Sequence, residues 1–176
     1  ARNAAWPTWS ADGKQLIAVA YDGGHRCGLI IFDLASRQMR RVELELAHVV
    51  TPALSPSGKQ LALCGFAGDP DQARLYILDL ETQRLTPLPP PAPPAAPASL
   101  PGAGVTWQIM PVWLDEHTLA SYGMNGTDTA LFVTAADGTN PGVPAVKVAL
   151  PAHAADALRD QGGISGLVSP DRLWWA

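Results

Sequence analysis

The chain repeats itself every 45 residues, and that period restricts its fold more than any other feature. Ser10–Ala18 reads SADGKQLIA and Ser55–Leu63 reads SPSGKQLAL. Pro7, Ser10, Gly13 and Lys14-Gln15-Leu16 stand 45 residues before Pro52, Ser55, Gly58 and Lys59-Gln60-Leu61. Phe32-Asp33-Leu34 answers Leu78-Asp79-Leu80 at a spacing of 46, so the second copy carries one inserted residue. Ser36 then meets Thr82, and Met39 meets Leu85. A third copy is legible in PVWLDEHTLASYG (111–123), one residue shorter at the turn, and in TALFVTAADG (129–138). A fourth begins at GLVSPDRLWWA (166–176). A period of roughly 20–50 residues marks a repeat architecture, in which a unit that cannot bury its own faces is covered by its neighbours.

Each copy reads as four short strands. WPTWS and TPALS are strand-like runs ending in Ser. The next residues have turn chemistry, with Gly13 and Gly58 where a three-residue hairpin loop needs positive φ. QLIAVAY and GLIIFDL, rich in β-branched and aromatic residues, are the next two strands. RQMRRVEL alternates polar and apolar, as a half-exposed outer strand does. Four antiparallel strands per repeat predict an all-β chain built of β-propeller blades. The predicted organisation is blade 1 over about 5–46, blade 2 over about 49–88, a Pro-rich insertion at 87–104 and blade 3 over about 105–150. A helical loop at 151–163 and the start of blade 4 at 164–176 follow.

The pattern P-x-W-S-x-D-G-K-x-L followed by I-x-D-L resembles the blade motif of TolB-like propellers, relatives of the WD-repeat class. Here Pro7, Trp9, Ser10, Asp12, Gly13, Lys14 and Leu16 carry it, then Ile31, Asp33 and Leu34. Leu54 and Ser57 replace the Trp and Asp in the second copy. The resemblance implies a bacterial, often periplasmic, protein-interaction propeller, with a cytoplasmic location as the alternative. The same blades occur in prolyl-oligopeptidase-type peptidases and in sensor domains of membrane regulators, which supply the alternative functions. It also implies a ring of six to eight blades, of which three and a half are present. These residues are therefore expected to be an excerpt of a longer chain, or to be completed by another chain.

Composition narrows the partners. Net charge is −4 and only three lysines are present, against the clustered cations that nucleic acid needs. Arg40-Arg41 reads as a pair of solvated strand residues. Charged residues are 16%, below the roughly 25% usual in soluble domains, as suits a chain that carries much loop or has part of its surface covered. No apolar run approaches the roughly 18 residues of a membrane helix. Cys27 and Cys64 are too few for a disulfide framework, and free thiols are expected, with a bridge between the two as the alternative.

Length variation concentrates in the segments expected to leave one face: 22–28, 67–72, 124–128, the proline tract 87–104 and 150–163. Insertions gathered on one face mark an interaction surface. The candidate partner-binding residues there are His25, Arg26, Asp69, Asp71, Asn125, Asp128 and His153, for a protein or peptide partner. PAHAADALRDQ, stopped by Gly162-Gly163, predicts a short helix. No catalytic, cofactor or metal constellation is expected. The four histidines lack metal-ligand spacing, and Asp69 and Asp71 lack the distal Glu of a calcium loop. Gly163-Ile164-Ser165-Gly166 is followed by Leu167 rather than the Gly of a nucleophile elbow. Trp6, Trp9, Trp107 and Trp113 are expected in the core of the innermost strands.

Overall fold

The computed structural model describes residues 3–10, 12–22, 27–66, 73–90, 107–125, 128–139 and 143–148. These form three four-stranded antiparallel sheets, each made from consecutive strands in sequence order. The first holds β1 (Asn3–Trp9), β2 (Gln15–Tyr21), β3 (Cys27–Asp33) and β4 (Met39–Glu43). The second holds β5 (His48–Leu54), β6 (Gln60–Phe66), β7 (Arg74–Asp79) and β8 (Leu85–Pro87). The third holds β9 (Trp107–Trp113), β10 (Thr118–Asn125), β11 (Asp128–Ala135) and β12 (Val143–Val148). The all-β expectation of four antiparallel strands per copy agrees with this arrangement. The proline tract from 91, the expected helix and the start of the fourth copy lie outside the described residues.

The repeated phrase builds the same turn twice. Gly13 (φ 68°) and Gly58 (φ 74°) take the left-handed conformation that glycine adopts without Cβ strain. The Gly13 N–H donates to Ser10 O and the Gly58 N–H to Ser55 O, both at 2.9 Å. The motif serines close the loop from inside: the Gln15 N–H donates to Ser10 Oγ (2.8 Å) and the Gln60 N–H to Ser55 Oγ (3.1 Å). In the third sheet the Leu114 N–H reaches Thr118 O directly, the shortened turn that the sequence showed. Ser55 is fully buried. Ser55→Ala is therefore expected to cost about 1–2 kcal/mol, because it strands the half-buried Gln60 N–H and empties the buried hydroxyl site. Urea denaturation should show a lower midpoint with an unchanged m-value.

The core lies between the sheets. One cluster joins Ile17, Val19, Leu29, Ile31 and Val42 of the first sheet to Val49, Leu61, Leu63, Tyr76 and Leu78 of the second. Another joins Ala62, Cys64, Leu75 and Ile77, on the opposite face of the second sheet, to Trp113 and Leu119 of the third. Alternation along the strands sends successive side chains to the two faces, so the middle sheet is buried on both. On the outer strand β4 only Val42 is buried, and Met39 is 66% exposed.

One row of residues crosses each sheet at the same register. It is Leu54–Leu61–Leu78–Leu85 in the second sheet and Trp113–Leu119–Thr134 in the third. Each of these rows packs against the preceding sheet. In the first sheet the row is Trp9–Leu16–Phe32–Met39, and Trp9 is 57% exposed. The expectation that Trp9 packs in the core is thus corrected. Its side chain points away from the second sheet, and no described sheet lies on that side.

Thr134 stands where the other copies carry Phe32 and Leu78. Its Oγ1 is buried and has no hydrogen-bond partner among the described residues. Thr134→Val keeps the shape and removes the stranded hydroxyl, so it is expected to stabilise by about 1–2 kcal/mol. A raised thermal midpoint is the readout.

Candidate functional site

Antiparallel pairing gathers the variable loops at one end of the sheets. Tyr21 pairs with Cys27, Gly65 with Arg74 and Asn125 with Asp128, so the connections after β2, β6 and β10 all leave from equivalent ends. The linker 44–47 crosses the same end: the Leu44 N–H donates to Cys27 O (3.2 Å) and the Ala47 N–H to Phe66 O (2.9 Å). Leu44 and Leu46 turn inward while Glu45 and Ala47 face solvent. Of the candidate residues, His25, Arg26, Asp69, Asp71 and His153 lie outside the described residues. Asn125 and Asp128 are placed by their backbone, paired across the connection from β10 to β11.

Side chains that the sequence reading passed over are brought together at this end. Tyr21, His48 and Phe66 form a chain of rings, with centroids 5.1 Å and 6.0 Å apart. Tyr21 is fixed by donating its hydroxyl proton to Val49 O at 2.6 Å, which ties β2 of one sheet to β5 of the next. His48 is exposed between its two neighbours. The signal available in sequence was the spacing of 45 between Tyr21 and Phe66, which puts both at the end of a second strand. Arg41 is not simply solvated: its Nε lies 2.6 Å from Glu43 Oε1 and its Nη2 3.9 Å from Asp22 Oδ2.

A second unforeseen feature repeats along the innermost strands. Trp6 (φ 56°), Thr51 (φ 47°) and Met110 (φ 57°) are left-handed non-glycine residues, each at a register shift and each followed by proline. A β-branched residue at positive φ is strained, and a proline inside a strand is tolerated at a bulge. Pro7, Pro52 and Pro111 were therefore the readable signal. The bulges help join the sheets: the Met110 N–H donates to Thr51 Oγ1 (3.3 Å), and Trp113 Nε1–H donates to Ala53 O (2.8 Å).

The opposite end is a set of tight turns held by aspartates. Asp33 Oδ1 accepts the Ser36 N–H (2.8 Å) and hydroxyl (2.7 Å), and Asp79 Oδ1 accepts the equivalent pair from Thr82 (2.7 and 2.9 Å). Asp137 does the same with Thr139. These bonds hold the Asp33, Asp79 and Asp137 carboxyls below their ordinary value of 3.8. Bonds from Ser10 and His117 respectively lower Asp12 and Asp115. An open depression of about 250 Å³ lies at this end, lined by Gln15, Asp33, Ser36, Gln38 and Arg40 among others. It is remote from the variable loops.

Cys27 and Cys64 are free and buried in different intersheet layers. Cys27 donates to Leu46 O at 3.0 Å. Burial pushes Cys27 up to about 11 and Cys64 to about 12, which makes both poor nucleophiles. Stability should therefore fall at both extremes of pH. The aspartates are ionised more readily folded than unfolded, so their contribution is full above pH 3.8 and lost as pH drops through that range. The thiols ionise more readily unfolded, so stability also declines above their ordinary value of 9.0. Urea midpoints should form a plateau between these limits.

No group of three or more His, Cys, Asp or Glu residues suited to a metal occurs among the described residues. Nor does any described helix have the length and apolarity to cross a membrane.

Four-stranded antiparallel sheets stacked face on face in sequence order, inner strand beside inner strand, are blades of a β-propeller. The chain is 35% identical over 81 residues to the Tol-Pal system protein TolB of Francisella tularensis subsp. tularensis (strain WY96-3418), a match covering 46% of this chain and 18% of that protein. A structure described as TolB from Agrobacterium tumefaciens superposes with TM-score 0.60 at 12% identity, covering 83% of this chain and 50% of that one. The chain is a TolB-like β-propeller, with three blades among its described residues. The propeller domain of the trilobed protease from Pyrococcus furiosus shares the fold, with TM-score 0.55 at 16% identity over 82% of this chain and 42% of that one. No family model matches the chain.

Proposed function

We propose that this chain is a non-catalytic propeller module of the bacterial cell envelope that holds a protein or peptide partner on its loop-bearing end. The observation that carries the reading is the contrast between the two ends. One repeats the same Ser- and Asp-closed turns, whereas the other anchors the connections that differ from blade to blade. Variable loops on a rigid repeat scaffold are where recognition is placed. His25, Arg26, Asp69, Asp71, Asn125, Asp128 and His153 are the proposed contact residues, with Tyr21, His48 and Phe66 beside them. The envelope assignment draws on the likeness to a Tol-Pal system protein.

Site-specific photocrosslinking tests this. A benzophenone side chain at position 71 or 125 should give a discrete adduct with an envelope protein. The same group at Ser57 or Glu81, on the turn end, should give none. Equal labelling from both ends, or labelling from the turns alone, overturns the assignment.

A second reading, a propeller that gates a serine peptidase, draws on the likeness to the trilobed protease. It requires the protein to react with a fluorophosphonate probe. The first reading requires that it does not.

A further inference from the structure

The ring chain at the loop-bearing end is assembled from two blades and fixed in place. Tyr21 closes β2 of the first blade, while His48 opens β5 and Phe66 closes β6 of the second, where the two pair directly. The Tyr21 hydroxyl accepts a bond from the Trp6 indole and donates to Val49 O at 2.6 Å. Its ring lies 5.1 Å from that of His48, and His48 meets Phe66 edge-on at 6.0 Å. His48 is exposed and its two neighbours are only half-buried, so all three rings keep surface open to solvent. Beside them runs the linker 44–47, pinned at Cys27 O and Phe66 O. Glu45 leaves it on the solvent side and has no hydrogen bond or ion pair among the described residues. On the first-blade side Asp22 and Glu43 share one cation, Arg41.

We infer that these rings and Glu45 together seat a cationic side chain of the partner polypeptide, an arginine above all; the inference rests on the loop-end reading above. The face of an aromatic ring attracts a cation, and a planar guanidinium can lie on a ring while its N–H fork reaches a carboxylate. The charge balance asks for the same occupant. Asp22, Glu43 and Glu45 stand against Arg41 and Arg74 among the described residues of this end, and Glu45 is the carboxylate left unspent. The turn end differs, because Asp33, Asp79 and Asp137 each already accept two bonds from their own turns. An apolar side chain on the rings would leave the Glu45 charge unanswered, and an acidic one would be repelled by it. The Trp6 and Val49 bonds hold Tyr21 before anything binds, so little ordering cost is left for the moment of association.

Nuclear magnetic resonance titration of the full 176-residue chain is the test. The probes are short capped peptides with arginine, citrulline or norleucine at the centre of a glycine-flanked sequence. Citrulline keeps the shape of arginine without its charge, and norleucine offers only apolar surface. The arginine peptide should shift the Tyr21, His48 and Phe66 ring resonances saturably and bind about fivefold or more tightly than the other two. Glu45→Gln, an exposed substitution where folding is not at risk, should erase most of that preference. His48→Ala, also exposed, should weaken the arginine peptide in the same direction. Equal binding of the three peptides overturns the inference, as does a preference that survives Glu45→Gln. So do shifts confined to turn-end residues such as Ser36 and Thr82, or no saturable shift at all. The loop-end reading is judged separately by crosslinking at 71 and 125, so adducts there with equal peptide binding would sink this inference and leave that reading standing.

Discussion

Trp113→Ala is expected to destabilise the protein by about 3–5 kcal/mol, the range for removing a buried aromatic from a core. Three effects coincide at this residue. Its ring is nearly fully buried between the second and third blades, beside Leu119 and Leu75. Truncation leaves a cavity between two β-sheets, which cannot collapse as freely as a loop can. It also leaves the Ala53 carbonyl without its 2.8 Å donor. The control is Trp9→Ala at the equivalent position. There the side chain is 57% exposed, and the cost should stay within about 1 kcal/mol. Chemical denaturation of the two variants side by side gives the comparison. Equal losses would show that the third blade does not pack on the second as described.

Leu61→Ala is the second large effect, about 2–5 kcal/mol. Leu61 is fully buried in the middle of the row that meets the first blade. Its counterpart 45 residues earlier, Leu16, lies in the open row and is only partly buried. Leu16→Ala should cost less than half as much. The two leucines share a repeat phrase, a register and a strand type. Any difference between them therefore reports the packing of the first blade on the second, not local propensity.

That pair also shows what sequence could and could not convey. The turn serines, Gly13 and Gly58, and the four-strand rhythm were legible because each is local and recurs at a fixed spacing. Which face of a sheet is covered was not legible, because Leu16 and Leu61 are written alike and only the stacking order separates them. Trp9 failed as a core expectation for the same reason. The bulges at Trp6, Thr51 and Met110 were hidden behind residue types that avoid positive φ. The prolines after them carried the signal.

The candidate site divides along the same line. Its location followed from counting loop lengths against the repeat, and the strand ends at Tyr21, Phe66 and Asn125 show the connections leaving one end. The ring chain of Tyr21, His48 and Phe66 could not be read, since His48 belongs to a different blade from Tyr21 and meets it only through stacking. The Asp22–Arg41 ion pair escaped for a related reason, as Asp22 follows β2 and reaches Arg41 on β4 only through the pairing of β2, β3 and β4. Contacts set by pairing or stacking are invisible to a reading of single segments.

The central claim is that the second and third blades set their Leu and Trp rows against the blade before them. Nuclear Overhauser spectroscopy on the labelled chain tests it at one proton. The Trp113 indole N–H should show cross-peaks to Ala53 and Leu54 and should exchange slowly with solvent. An indole proton that exchanges as fast as that of a free tryptophan, with no cross-peak to β5, would contradict the stacking on which the account rests.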